Sequence, residues 1–318
     1  MEVLGDVLTW SLLAATIRTT APILLVALGG AFTTKAGIFN IGLEGQMLTG
    51  AFFGVLGSIW TGSALGGLAV GVGAAMALAS VFSLMVVTLR ANEVVVGLAL
   101  NILAGGLTIS LTKALFGTRG SIVGHGIVGL PRLEVPGLHG LPVLGPVLSG
   151  HTPLVYVAFA LVPLVGVVLF RTRFGLHVRV SGEKPEAAEA LGIGTARMQH
   201  LASLACGALA GLAGVHLSLG YITMFAENMS AGRGFMAVAV LIFSNGDPGR
   251  VLAGCLLFGL ADAASLRLQM SGLSSYLVLM VPYLVSVAAL FLLAWRQRPR
   301  LVRETLATAA GAKREGAA

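Results

Sequence analysis

The sequence predicts an all-α, polytopic integral membrane protein with about nine or ten spanning helices, and three observations predict it. Only 10% of its 318 residues are charged and 56% are hydrophobic, whereas a soluble domain carries about 25% charged residues; mean hydropathy is +0.93. Several apolar runs reach the roughly 20 residues that an α-helix needs to cross about 30 Å of hydrocarbon. Those runs are continuous, where a membrane β-barrel would show short alternating segments, and the 44 glycines suit close approach of membrane helices.

In chain order the apolar runs fall at about 8–32, 44–60, 63–89, 93–116, 152–170, 199–219, 235–244, 249–267 and 276–294. The first contains Arg18 mid-span, where a charge costs several kcal/mol, so residues 6–17 can instead form an interfacial helix ahead of a span from about 19. Pro22, Pro163 and Pro282 inside spans, with Gly105 and Gly106, predict kinks and close contacts rather than breaks. The seventh run is too short to cross alone; residues before Phe235 either complete it or form a re-entrant piece. The whole chain, 1–318, reads as one transmembrane domain.

Loop charges orient these spans. Residues 171–199 hold Arg171, Arg173, Arg179, Lys184 and Arg197, and the tail 295–318 holds six more basic residues from Arg296 to Arg314. The positive-inside rule places both in the cytoplasm. The Gly- and Pro-rich connection 117–151, with Arg119 and Arg132 alone, belongs outside; alternation then puts Lys35 and Arg90 inside and the N-terminus outside. The net charge of +7 is explained by these flanks, and a nucleic-acid partner is not expected because the basic residues gather on no soluble domain. Cys206 and Cys255 each sit inside an apolar run, reading as buried thiols rather than a disulfide or zinc site. Residues 1–10 carry Glu2 and Asp6 without Lys or Arg, so no cleavable signal peptide is expected.

Two segments, 37–54 and 225–242, both place glycines and polar residues ahead of an apolar run. On this topology they start from opposite sides of the membrane, as the halves of an inverted repeat do.

The cytoplasmic loop contains a local signal of its own. Pro185 suits a first helical turn, Glu186 and Glu189 suit its positive end, Ala187, Ala188, Ala190 and Leu191 favour helix, and Gly192 with Gly194 stops it. One exposed helix of about two turns is too short to be stable alone; it either docks on something or is a solvated connector. The string GEKPEAAEALGI followed by GALAGLAGVHLSLGY resembles the ATPase-contacting loop and next span of ABC-importer permeases of the branched-chain amino acid, ribose and nucleoside family. Residues 21–54 and 220–243 are similar to its nucleoside-type branch, and the resemblance runs from about 10 to 295. It implies that 183–194 is a coupling helix, with Glu183, Pro185, Glu186, Ala187, Ala188, Glu189, Leu191 and Gly192 meeting an ATPase. Closure of the ATPase pair would then rock the spans between inward- and outward-open states.

Polar residues at membrane depth are the other candidates, since such groups are costly unless paired or facing a cavity. Asn40, Glu44 and Gln46 stand at the mouth of an apolar run; they line a path or tie two helix ends together, Glu44 having Lys35 or Arg233 as possible partners. Glu227, Asn228 and Arg233 frame Gly232 and Gly234, either meeting a solute or forming an internal Glu227–Arg233 ion pair. Asn101, His216 and Asp262 lie deep in spans and are candidate pathway residues, a lone His also serving as an interhelical contact. Asn92, Glu93, Lys113, Arg267 and Gln269 lie near span ends and can snorkel or cap.

No G-x-x-x-x-G-K-[ST] phosphate loop, H-E-x-x-H, G-x-S-x-G or metal-spaced Cys/His cluster occurs. The expectation is therefore a transport subunit, not an enzyme, without a cofactor of its own, ATP being bound by a partner. The resemblance implies a bacterial inner-membrane permease for a purine or pyrimidine nucleoside. Its partners would be a cytoplasmic ATPase, a second related permease, an extracytoplasmic solute-binding lipoprotein and membrane lipid. Ribose-type sugars and branched-chain amino acids are the alternative solutes. An ion-coupled secondary transporter is the alternative class, with Glu44, Glu93, Glu227 and Asp262 as its available acids.

Overall fold

A computed structural model describes residues 10–118, 120–133 and 149–270, with four further positions between 280 and 288. Ten helices occur among the described residues. They are α1 (Trp10–Lys35), α2 (Leu43–Thr61), α3 (Ala64–Ser83), α4 (Glu93–Phe116), α5 (Pro153–Arg171), α6 (Arg173–Glu183), α7 (Pro185–Ala190), α8 (Thr195–Val215), α9 (Arg233–Ser244) and α10 (Pro248–Met270). π-Helical stretches, Leu84–Thr88 and His216–Tyr221, extend α3 and α8. Two short strands, β1 (Ser121–Ile122) and β2 (Phe225–Ala226), pair antiparallel with Ser121 opposite Ala226.

Six of these helices, α1, α3, α4, α5, α8 and α10, are long and apolar enough to cross a membrane. α2 has 19 residues with Glu44 and Gln46 in its first turn, and α9 has 12, about 18 Å of helix at 1.5 Å per residue. Eight of the nine expected spans are thus helices; the ninth, 276–294, and the basic tail 295–318 lie outside the described residues. So do Arg119 and 134–148 of the long connection, and residues 1–9. α4 starts where Asn92 accepts hydrogen bonds from the Val94 and Val95 amides, at 3.0 and 3.2 Å, the capping role open to it in the sequence.

Two expectations are corrected. Trp10–Lys35 is one helix with Arg18 exposed on its side, so residues 10–17 are not a separate interfacial helix. The segment before α7 is not loop: α6 occupies it, started by Thr172, whose hydroxyl accepts from the Gly175 amide at 3.2 Å.

α1 and α8 form the buried centre, and α3, α4 and α5 bury only their inner faces. α8 packs on α1, α2 and α3, while α10 and α5 flank α1. Small residues make the central crossing: a Cβ on Gly50 of α2 would come within 2.7 Å of the Gly211 Cα of α8. Lipid is as apolar as leucine, so such close packing rather than burial from water holds membrane helices together. Leu24, Leu25 and Leu28 are fully buried there, and the Phe52 and Phe225 rings meet edge-on at 5.2 Å. Cys206 and Cys255 are buried free thiols.

Candidate solute path and coupling helix

Between α1 and α2 the chain runs irregularly from Gly37 to Gly42, and polar side chains take up its backbone groups. The Phe39 amide donates to Glu93 at 2.8 Å, and the Gly42 amide to the Asn40 side chain at 2.9 Å. Asn101 of α4 bridges the gap: its Nδ2 donates to the Ile41 carbonyl at 3.0 Å and its Oδ1 accepts from the Gly45 amide at 2.7 Å. Buried backbone polar groups need such partners. Asn40 also donates to Cys206 Sγ at 3.5 Å, and Gln46 accepts from that thiol at 3.8 Å.

Glu44 performs a different task from the one its neighbours suggested. Neither Lys35 nor Arg233 pairs with it. Its carboxylate reaches the start of α9, Oε1 accepting from the Gly232 amide at 2.8 Å and Oε2 from the Gly234 amide at 2.6 Å. The first N–H groups of a helix lack intrahelical partners and carry partial positive charge, so a carboxylate there satisfies both. Gly234 is required by the contact, because a Cβ would lie 2.5 Å from the Glu44 Cα. Arg233 instead binds Asp262 of α10, Nη2 to Oδ2 at 2.9 Å. Glu227 does not pair with Arg233; it accepts from the Gly120 amide at 2.8 Å and so ties the β2 turn to β1.

These elements enclose an open cleft of about 820 Å³. Glu44, Asn101, Asn228, Arg233 and Asp262 line it, five of the nine path candidates. Its walls also include Leu98, Ile102, Phe235 and Leu266, which the sequence marked only as span residues. Asn40 and Gln46 are instead buried, both against the Cys206 thiol of α8. His216 lies elsewhere, bonded through Nδ1 to Thr152 at 3.3 Å beside a cavity of about 40 Å³ shared with Arg18, Arg132 and His151. Among the described residues no group of three or more His, Cys, Asp or Glu could hold a metal.

At one end of the bundle α7 stands free. Glu183, Pro185, Glu186, Ala187, Glu189, Leu191 and Gly192 are exposed, Leu191 at 76%, and Ala188 alone is buried. Leu191 ends the helix and Gly192 turns the chain at φ +77°, where an L side chain is strained. Just before α7, Gly182 of α6 presses on the chain beyond α1: a Cβ there would strike the Lys35 carbonyl and lie 2.6 Å from the Gly37 amide. Pro185 and Glu189 also border a groove of about 370 Å³ with Arg90 and Glu93.

Residues 12–290 match the family described as the branched-chain amino acid transport system / permease component. The chain belongs to this family. Among relatives, a putative glucose ABC transporter permease protein of Haloferax volcanii is 37% identical, over 81% of this chain and 78% of its own. A guanosine ABC transporter permease protein of Bacillus subtilis is 34% identical over 87% and 89%, and a nucleoside ABC transporter permease protein of Lactococcus lactis is 33% identical over 86% and 89%. No solved structure matches the chain.

This permease is a multi-pass membrane protein, and its two irregular segments have a common geometry. α2 and α9 both begin beside the Glu44 carboxylate and then diverge. α2 passes Gly211 and reaches Val128, where Ser58 accepts from the amide at 2.9 Å. α9 passes Gly30 with Leu241, and the chain then meets Ala31, Thr34 and Lys35 at Gly246. One helix start therefore opens toward each end of the bundle, as the inverted halves of a transporter do.

Proposed function

We propose that this chain is the solute-pathway subunit of an ABC importer for nucleosides, and that the cleft beside Glu44 is part of the path. The observation that carries the solute class is how the charges in the cleft are used. Glu44 is bound by two backbone amides, and Arg233 and Asp262 bind one another. What remains for a solute is hydrogen bonding from Asn228 and from the second Nδ2 hydrogen of Asn101, whose first goes to the Ile41 carbonyl, and contact with Leu98, Ile102 and Phe235. That suits an uncharged solute with hydroxyls and a flat ring; a zwitterionic amino acid needs a free charge of each sign. The relatives named for guanosine and nucleosides support the same reading. A sugar is the second reading, favoured by the relative named for glucose.

The exposed α7, with the 183–194 loop around it, is the docking element for a separate cytoplasmic ATPase that binds and hydrolyses ATP. Gly182 against Gly37 gives it mechanical contact with the segment ending at Glu44. A second, related permease covers the cleft, because polar groups at bilayer depth are not left facing lipid. An extracytoplasmic solute-binding lipoprotein delivers the solute. The chain resides in a bacterial cytoplasmic membrane with its basic C-terminal tail in the cytoplasm.

Proteoliposomes holding the permease pair, the ATPase and the binding protein test this. ATP-dependent uptake of a purine nucleoside, competed by other nucleosides and not by glucose or leucine, is expected. Uptake that proceeds without the ATPase would overturn the importer reading, and competition by glucose alone would select the sugar.

A further inference from the structure

A stripe of exposed side chains runs along α5 at Val157, Leu164, Val167 and Phe170, spaced at helical intervals and between 39% and 55% exposed. On a multi-pass membrane protein such a stripe faces acyl chains. It ends at the Phe170 ring, where the chemistry changes. Lys35 Nζ from α1 lies 5.8 Å from the ring centroid and Arg179 Cζ from α6 lies 5.1 Å from it. Arg171 and Arg173, at the end of α5 and the start of α6, are exposed. None of these four cations has a carboxylate within ion-pair distance among the described residues.

α6 itself is amphipathic. Gly175 and Val178 face inward, and Arg173 and Leu176 face outward, Leu176 being 48% exposed. Basic and apolar side chains on one face of a helix are what an interfacial helix presents to the boundary between headgroup and acyl chain. Thr172 breaks the chain between α5 and α6 at the level where the apolar stripe stops.

We propose that the junction of α5 and α6 binds an anionic phospholipid. Its phosphate lies among Arg171, Arg173 and Arg179, with Lys35 closing the site, and its acyl chain lies along the α5 stripe. Cations on long stems reach the headgroup layer while their methylenes stay on Phe170, and each basic residue near an anionic leaflet contributes about 1 kcal/mol. The continuity of the lipid-facing stripe with the cation cluster favours lipid over a protein partner here. The site is distinct from α7, and lipid seated on α6 would set the position from which α7 projects.

The test uses the full chain in its assembled transporter, reconstituted in nanodiscs of phosphatidylcholine mixed with phosphatidylglycerol, with retained lipid read by native mass spectrometry. Retention of phosphatidylglycerol over phosphatidylcholine is expected. Arg171→Gln and Arg173→Gln change exposed side chains and should each weaken retention about fivefold, and together roughly twenty-five-fold, with the ATPase still bound. Equal retention of the two lipids, or retention unchanged in the double variant, would overturn the proposal. Loss of the ATPase with lipid retention intact would also overturn it and assign the face to the ATPase.

Discussion

Replacing Glu44 by glutamine changes one oxygen into an NH2 group at the place where α9 begins. The carboxylate now accepts from the Gly232 and Gly234 amides at 2.8 and 2.6 Å, and Glu44 is only 7% exposed. A carboxamide keeps one acceptor and turns a donor toward the other amide. The loss includes one hydrogen bond to a charged group, about 1.5–3 kcal/mol, with an amide left unsatisfied. It also includes the attraction between a carboxylate and a helix N-terminus, about 0.3–1 kcal/mol or more where partly buried. Together these make about 3 kcal/mol, or roughly a hundredfold in the equilibrium by which α9 detaches from α2. Hydrogen–deuterium exchange of peptides covering residues 230–240 reads that opening directly. Glu44→Gln should speed exchange there about a hundredfold, leave α1 and α8 protected, and lower uptake. Unchanged protection at 230–240 would mean that α9 is held in place without the Glu44 charge.

Arg233→Gln and Asp262→Asn should each destabilise the purified chain by about 2 kcal/mol, because each leaves the other charge without its partner. The double variant should lie closer to the parent than their sum, and a thermal-unfolding double-mutant cycle that gives simple additivity would deny the pairing. Leu191→Asp, at a side chain 76% exposed, should leave the unfolding midpoint of the permease unchanged. It should weaken co-purification of the ATPase at least about tenfold, as loss of a central apolar anchor does.

The helices were legible because continuous apolar runs have only one inexpensive state in lipid, the helix. The run read at 93–116 is α4, and its Asn92 cap followed from residue type. α6 was not legible: Gly175 and Gly182 and the β-branched Val178 and Val180 lower helix propensity, and only the Thr172 cap and packing of Gly175 and Val178 on the bundle outweigh them. At the site, residue type drew attention to Glu44, Asn101, Asn228, Arg233 and Asp262, which do line one cleft. Their pairing was beyond reach, because Glu44 and Gly234 are 190 residues apart and the partner is backbone, which no side-chain pattern advertises. Charge matching suggested Lys35 or Arg233 for Glu44 and Glu227 for Arg233, and the fold used none of them. The apolar half of the cleft was invisible for a plainer reason: Leu98 and Ile102, one turn apart on α4, look like every other lipid-facing residue until α9 and α10 are seen beside them.

On the proposed function solute passes through the cleft between α4, α9 and α10, and chemical modification inside that cleft reads the passage. Cys206 and Cys255 are buried, so Ile102→Cys, at a wall position 76% exposed, supplies a selectively reachable thiol. In proteoliposomes of the assembled importer, a bulky maleimide at this position should stop ATP-driven nucleoside uptake, and saturating nucleoside should slow the labelling. Complete labelling with uptake intact, at the same rate with and without nucleoside, would place the solute path outside this cleft.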